Sequence, residues 1–140
     1  MSTAKFEDFV QAQNPIYSQV VSELTQGRKR SHWMWFIFPQ IQGLGFSAMA
    51  QRFALDSVEQ AQDYLQHEIL GPRLLQCAEL LLPHTDKTAL EIFGCPDNLK
   101  LHSSLTLYAL AAKEPSVFEQ LLQQFYAGEY DQQTLAILGR

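Results

Sequence analysis

A run of six apolar residues beside a basic cluster constrains how this chain can fold. Residues 33–38 read Trp-Met-Trp-Phe-Ile-Phe and contain both tryptophans, and Arg28, Lys29 and Arg30 come shortly before them. The apolar run must be buried, because an exposed patch of this kind promotes aggregation. The cations must contact water or a partner, because an unpaired buried charge is strongly unfavourable. The segment therefore predicts a positive patch at the edge of an aromatic core.

Length and composition limit the class of protein. The chain has 140 residues, of which 46% are hydrophobic and 11% aromatic, so we expect residues 1–140 to form a single domain with an ample core. The net charge of -5 counts against binding to nucleic acid or to a membrane surface. Cys77 and Cys95 lack motif spacing and predict reduced thiols. Without a signal region or a long apolar run, we expect a cytoplasmic protein with no membrane partner.

The spacing of apolar residues favours helices along the whole chain. Convincing alternation of apolar and polar residues is absent, and glycine, proline or capping side chains separate the helical stretches. We therefore predict an all-α fold, a single compact domain of about eight short helices. The residues predicted to cap or begin helices are Asn14 with Pro15, Ser31, Ser47, Asp56 with Ser57, Pro72, either Asp97 or Pro96, Pro115 with Ser116, and Asp131.

The junction between the cations and the aromatic run has the features of an anion site. If Ser31 caps a helix, the free backbone N–H groups of residues 32–34 face the same region as Lys29 and Arg30, and such an arrangement binds phosphate or carboxylate. The alternative is a solvated basic turn at the end of the preceding helix. His32 lies within this junction and is a candidate acid–base group, or else a histidine that is hydrogen-bonded at a helix start.

Two further patterns are less specific. Residues 43–48 match the glycine spacing of a dinucleotide-binding turn, but that motif requires a strand before it. The apolar run 33–38 fits either a buried strand or a buried helix, helix is favoured, and Pro39 interrupts the run. A glycine turn leading to a helix capped by Ser47 is favoured, and it can still line a pocket. The four histidines show no pair with metal-ligand spacing, so we expect no metal site.

A second polar cluster begins at Asp97 and continues through Lys100 and Ser103. Hydroxyl residues are poor choices in a helix interior, so they either bond to helix carbonyls or serve a pocket. Arg73 lies at a predicted helix start, where a cation opposes the helix dipole. We therefore expect it to have an anionic partner, which is Glu, Asp or a ligand.

Several of these segments resemble the family known as domain of unknown function 1810. The similar segments are residues 27–40 (Gly-Arg-Lys-Arg-Ser-His-Trp-Met-Trp-Phe-Ile-Phe-Pro-Gln), 64–67, 70–74 and 92–101, together with Ser103, Ser104 and Thr106. The resemblance covers nearly the whole chain and implies a small, mainly helical bacterial protein. It implies no activity and no catalytic residues. Members are sometimes labelled calpastatin, a name that does not suit a compact, aromatic-rich chain without repeats.

The leading hypothesis is a helical protein that binds a small anionic ligand, such as a nucleotide or phosphorylated metabolite, in one pocket and without a cofactor. Its candidate ligand-binding residues are Lys29, Arg30, His32, Trp33, Trp35, Gln40, Ser47, Arg73, Asp97, Lys100 and Ser103. If the protein is an enzyme, His32 or Asp97 is the candidate acid–base group. The alternative is a protein-interaction module or homo-oligomer subunit without catalysis. The ligand hypothesis requires Lys29 or Arg30 to meet Arg73 and Lys100 in one concave site.

Overall fold

The computed structural model describes residues 3–113 and 116–140, and this part of the chain is helical with short connections. The helices are α1 (Thr3–Gln13), α2 (Tyr17–Gln26), α3 (Met34–Ile37), α4 (Ala48–Arg52), α5 (Val58–Gln66), α6 (Leu70–Glu79), α7 (Ala89–Phe93), α8 (Asp97–Ala111), α9 (Val117–Tyr126) and α10 (Gln132–Leu138). The predicted all-α class is confirmed, and ten helices in the described ranges is close to the predicted number. None of these helices is long and apolar enough to cross a bilayer.

The longest helix, α8, forms the centre of the fold. It contacts α5, α7, α9 and α10, and nearly all of its residues from Leu101 to Ala111 are buried. A helix that is buried on nearly every side must be enclosed by other helices. Tyr108 illustrates this, because its ring packs against both Tyr64 of α5 and Phe118 of α9. The direction of α8 therefore determines where its more polar first turns reach the surface.

The aromatic run is buried as predicted, although its helix is shorter than expected. Trp33 is fully buried, and its ring contacts those of Phe38 and Phe93. The helix α3 contains only four residues and ends before Pro39, which disfavours helical backbone in the preceding residue. The prediction that Ser31 caps this helix is wrong. The N-cap position is Trp33, with no side-chain hydrogen bond, and Ser31 instead contacts Glu23.

Most of the other predicted helix starts are confirmed. Side-chain oxygens of four predicted residues accept hydrogen bonds from backbone N–H groups in the first turns of their helices: Ser47, Ser57, Ser116 and Asp131. Pro115, predicted with Ser116, lies outside the described residues. The predicted start at Asn14 and Pro15 is wrong, because α2 begins at Tyr17. Pro72 lies inside the first turn of α6, where its missing N–H has no partner to lose.

The glycine turn at residues 43–48 belongs to a loop and not to a dinucleotide fold. Within the described ranges, extended pairing is limited to an isolated parallel bridge between Ile41 and Leu55. Both cysteines are free, Cys77 in the core and Cys95 on the surface.

Candidate functional site

A carboxylate of the chain itself occupies the junction where the sequence predicted a ligand anion. Glu23 is 4% exposed and accepts hydrogen bonds from the backbone N–H groups of Arg30 (2.8 Å) and Ser31 (3.1 Å). The indole N–H of Trp33 donates to the same carboxylate oxygen at 2.9 Å. Its other oxygen accepts from the hydroxyl of Ser31 at 2.7 Å and from the amide of Gln19 at 2.9 Å. The backbone donors of residues 30 and 31 are therefore already satisfied, whereas the sequence predicted free donors at residues 32–34.

These hydrogen bonds determine the charge of Glu23. Burial by itself raises the pKa of the carboxyl group. The bonds from the Arg30 backbone, the Ser31 hydroxyl, the Trp33 indole and the Gln19 amide oppose burial and outweigh it, so that the pKa is lowered from 4.5 to about 2. Glu23 is therefore ionised at neutral pH and acts as a fixed internal anion.

The side chains of the basic segment, residues 28–32, point in different directions. Lys29 points inward, with its side chain 7% exposed and its Nζ 2.8 Å from a carboxylate oxygen of Asp97. Its Nζ also donates to the carbonyl oxygen of Ser31 at 2.6 Å and lies 5.0 Å from the centre of the Trp33 ring. Arg30 and His32 are exposed. Since Trp33 is fully buried, its indole has no face left for a ligand.

The first turns of α8 bring six of the predicted residues together. The Nζ of Lys100 lies 3.7 Å from the second carboxylate oxygen of Asp97 and 5.2 Å from the centre of the Trp35 ring. One turn further on, the hydroxyl of Ser103 donates to the amide oxygen of Gln40 at 2.6 Å. We call this group the α8 cluster, and its members are Lys29, Trp35, Gln40, Asp97, Lys100 and Ser103.

A cavity of about 500 Å³ opens beside the α8 cluster. Gln40, Lys100 and Ser103 line it together with the loop at residues 44–45. Pro96 and Leu99 contribute to the wall, and the rest of it comes from residues that were not predicted as site residues, namely His102 and the polar segment 129–133 between α9 and α10. The polar run Glu-Tyr-Asp-Gln-Gln at 129–133 is the signal for these residues in the sequence, although by itself it predicts only the helix cap at Asp131.

His102 connects this segment to α8. Its Nε2 lies 2.8 Å from the carbonyl oxygen of Glu129, and its ring stacks on Tyr126 at 4.0 Å between centroids. A carbonyl oxygen only accepts hydrogen bonds, so the contact assigns the ring proton to Nε2. A second connection is the Thr106 hydroxyl, which accepts the backbone N–H of Asp131 at 2.8 Å.

Arg73 does not join the α8 cluster. Its guanidinium donates to the amide oxygens of Gln13 (3.2 Å) and Asn14 (2.9 Å) and lies 4.9 Å from the centre of the Tyr17 ring. The expected carboxylate partner is absent from the described residues. The C-terminal end of α1 and the face of the Tyr17 ring supply the negative potential instead. The required meeting of cations is therefore incomplete. Lys29 and Lys100 share Asp97, but Arg73 lies elsewhere, and Lys100 is the one of these three that lines the cavity.

One further predicted site residue, Ser47, does not line this cavity. Ser47 is exposed and caps α4, accepting the backbone N–H of Ala50 at 3.1 Å. A separate groove of about 660 Å³ lies between α5, α6 and α9 and is lined mainly by apolar residues such as Leu65, Leu75 and Val117. Across residues 3–113 and 116–140, no group of three His, Cys, Asp or Glu side chains is arranged to hold a metal ion.

Replacing Glu23 tests whether this internal anion supports the fold. We expect Glu23→Gln to lower the free energy of unfolding by about 1–3 kcal/mol at neutral pH. The amide NH2 of glutamine only donates hydrogen bonds, and at this position it would face N–H and O–H groups that also donate. Urea denaturation measures the change. The exposed Glu68→Gln is the matched control, and we expect a change within about 0.5 kcal/mol.

The same pair of proteins predicts a pH dependence. The pKa of Glu23 is lowered to about 2 from 4.5, so its contribution to stability is complete above the upper value and is lost as the pH falls towards the lower one. The advantage of the wild type over Glu23→Gln should therefore shrink across this window. An advantage that stays constant across the window would contradict the role assigned to the carboxylate.

Comparisons with known proteins place the fold in a family. Residues 3–138 match the family described as "Protein of unknown function (DUF1810)". The crystal structure of the conserved hypothetical protein Rv1873 from Mycobacterium tuberculosis is similar, with 50% sequence identity, a TM-score of 0.93 and 96% of each chain covered. No curated protein matches the sequence significantly. Because the family match extends over nearly all residues, the chain belongs to the DUF1810 family.

Proposed function

We propose that the protein binds a small anionic ligand, a nucleotide or phosphorylated metabolite, in the cavity beside the α8 cluster. The observation that carries this proposal is the position of Lys100. This lysine lines the cavity, its side chain is 25% exposed, and its contact with Asp97 is loose at 3.7 Å. The other oxygen of Asp97 is already bound by Lys29 at 2.8 Å.

The charges in the cluster favour an additional anion. Two lysines share the single carboxylate of Asp97, so the group carries an excess positive charge. Lys29 is shielded from solvent, whereas Lys100 can exchange a weak, partly solvated contact for a direct one with a phosphate. The Trp35 ring beneath the Lys100 ammonium limits the positions that this cation can adopt.

Hydrogen-bonding groups beside Lys100 suit an oxygen-rich ligand. The Ser103 hydroxyl fixes the orientation of the Gln40 side chain by donating to its amide oxygen. The amino group of Gln40 makes no hydrogen bond within the described ranges and is available as a donor. Because Ser103 donates its proton to an amide, which is not a general base, the arrangement supports binding and not nucleophilic catalysis.

A thermal-shift screen tests this proposal. The probes are inorganic phosphate, nucleoside monophosphates and glucose 6-phosphate, and a ligand at one hundred times its Kd should raise the free energy of unfolding by about 2.7 kcal/mol. We expect Lys100→Ala to abolish the response. Lys113→Ala removes the same charge from an exposed residue that lines the separate apolar groove, and it should respond like the wild type.

Two results would overturn the proposal. The first is a wild-type protein that is stabilised by none of these probes. The second is a response that persists unchanged in Lys100→Ala.

A second candidate function, a protein-interaction module or homo-oligomer subunit, is favoured by apolar side chains around the same cavity. Phe46 is 83% exposed and Leu99 is 59% exposed, and both belong to the walls or the adjoining loop. Ile137, 45% exposed, reaches the same loop, with its Cδ1 3.4 Å from the position that a Cβ on Gly43 would take. Exposed apolar residues grouped in this way are typical of contact surfaces.

Light scattering tests the oligomer. If this surface joins two copies, the measured mass should be about twice the 16.0 kDa of the chain, and Phe46→Ser should return it to the monomer value. The exposed Leu90→Ser on α7 is the control and should leave the mass unchanged. A wild-type protein that stays monomeric at high concentration would exclude the homo-oligomer.

A further inference from the structure

The lining of the cavity carries opposite charges at two ends. Lys100 supplies the positive charge from the start of α8, and Glu129 and Asp131 supply negative charge from the segment that follows α9. The segment is attached to α8 at Thr106, whose hydroxyl accepts the Asp131 N–H at 2.8 Å. With a rise of about 1.5 Å per residue, Thr106 lies about 9 Å beyond Lys100 along the helix axis.

The carboxylate at the far end is held in a fixed orientation. One oxygen of Asp131 accepts hydrogen bonds from the backbone N–H (3.0 Å) and the hydroxyl (2.6 Å) of Thr134. The other oxygen makes no hydrogen bond within the described residues and can only accept one. Glu129 is exposed, and its backbone is held by His102. This end of the cavity therefore requires a ligand that donates hydrogen bonds, and it repels a second anionic group.

We propose that the ligand is a nucleoside monophosphate whose base carries an exocyclic amino group, an inference that rests on the proposed function. Its phosphate contacts Lys100, and its amino group donates to Asp131 or Glu129. Carboxylates accept hydrogen bonds from the amino groups of adenine and cytosine. Hypoxanthine and uracil present an oxo group at the same position, which a carboxylate repels, and offer a ring N–H beside it as the remaining donor.

The rest of the lining agrees with a ligand of this size. Small-molecule sites commonly enclose about 300–1,000 Å³, and this cavity has about 500 Å³. Tyr130 and Leu44 also line it and offer the flat or apolar contact that a base needs. Gly45 lines the cavity as well, and it is packed so closely against Ala50 that a Cβ would lie 2.6 Å from the Ala50 Cβ.

Two matched pairs of nucleotides test this inference by isothermal titration calorimetry. AMP and IMP differ by an amino group against an oxo group on the base, and so do CMP and UMP. We expect AMP to bind about tenfold or more tightly than IMP, and CMP to show a similar preference over UMP. Lys100→Ala should weaken the binding of all four nucleotides.

One substitution provides a sharper readout than loss of binding. Asp131→Asn keeps an oxygen to cap α10, because asparagine is as good a capping residue as aspartate, and it places an amino group where the free oxygen was. We expect this variant to keep its melting temperature without ligand and to lose or reverse the preference for AMP over IMP. Glu68→Gln changes the same charge on an exposed residue of the α5–α6 connection and should leave the preference intact.

The outcomes separate the inference from the function on which it rests. Equal affinities for AMP and IMP, with Lys100→Ala still weakening both, would overturn the inference and leave the proposed function standing. An unchanged preference in Asp131→Asn and in Glu129→Gln would also overturn it. Failure of all four nucleotides, inorganic phosphate and glucose 6-phosphate to bind the wild type would overturn both.

Discussion

The buried carboxylate of Glu23 is the interaction on which the arrangement of the basic segment depends. It gathers donors from the backbone of Arg30, from Ser31 and from the Trp33 indole, so the chain after α2 must pass directly over it. A buried charge is tolerated only when hydrogen bonds compensate for lost hydration, and this carboxylate receives five. The requirement fixes which side chains of the segment point inward and which reach solvent.

The consequences extend from Glu23 to the cavity. With the segment held in place, the backbone N–H of Lys29 donates to Ile92 at 2.8 Å, and its ammonium reaches Asp97 at the start of α8. Asp97 is then largely neutralised by a partner that is shielded from solvent. Lys100, on the next turn, retains only a weak contact with the same carboxylate. The weak pairing of Lys100 is thus related to the packing that begins at Glu23 and continues through Lys29 and Asp97.

The features that could be predicted from the sequence are those that depend on near neighbours in the chain. Caps such as Ser47 and Asp131 bond to N–H groups three residues away, and the spacing of Asp97 and Lys100 places both on one side of a helix. The role of Glu23 could not be predicted in this way. A single glutamate in an amphipathic helix is usually on the surface, and its partners lie up to ten residues further along the chain.

Contacts between residues far apart in the chain explain why the positions of Arg73 and of the segment 129–133 could not be predicted. Arg73 meets Gln13 and Asn14 across about sixty residues, which no local pattern indicates. The segment 129–133 joins the cavity through contacts of His102 and Thr106 that span more than twenty residues. Its local sequence contained only the capping signal of Asp131, and that signal is correct but incomplete.

The overall negative charge of the chain counts against binding to nucleic acid, but it is compatible with a small anionic ligand in the proposed site. Binding depends on the potential within the cavity, because charges further away than about 8 Å are screened at physiological ionic strength. Lys100 supplies that potential at one end, and the carboxylates of Glu129 and Asp131 oppose it at the other. In the proposed complex these carboxylates make the site selective, because a ligand with phosphates at both ends would be repelled. Acidic residues near an anion site are therefore compatible with binding when the ligand itself has two unlike ends.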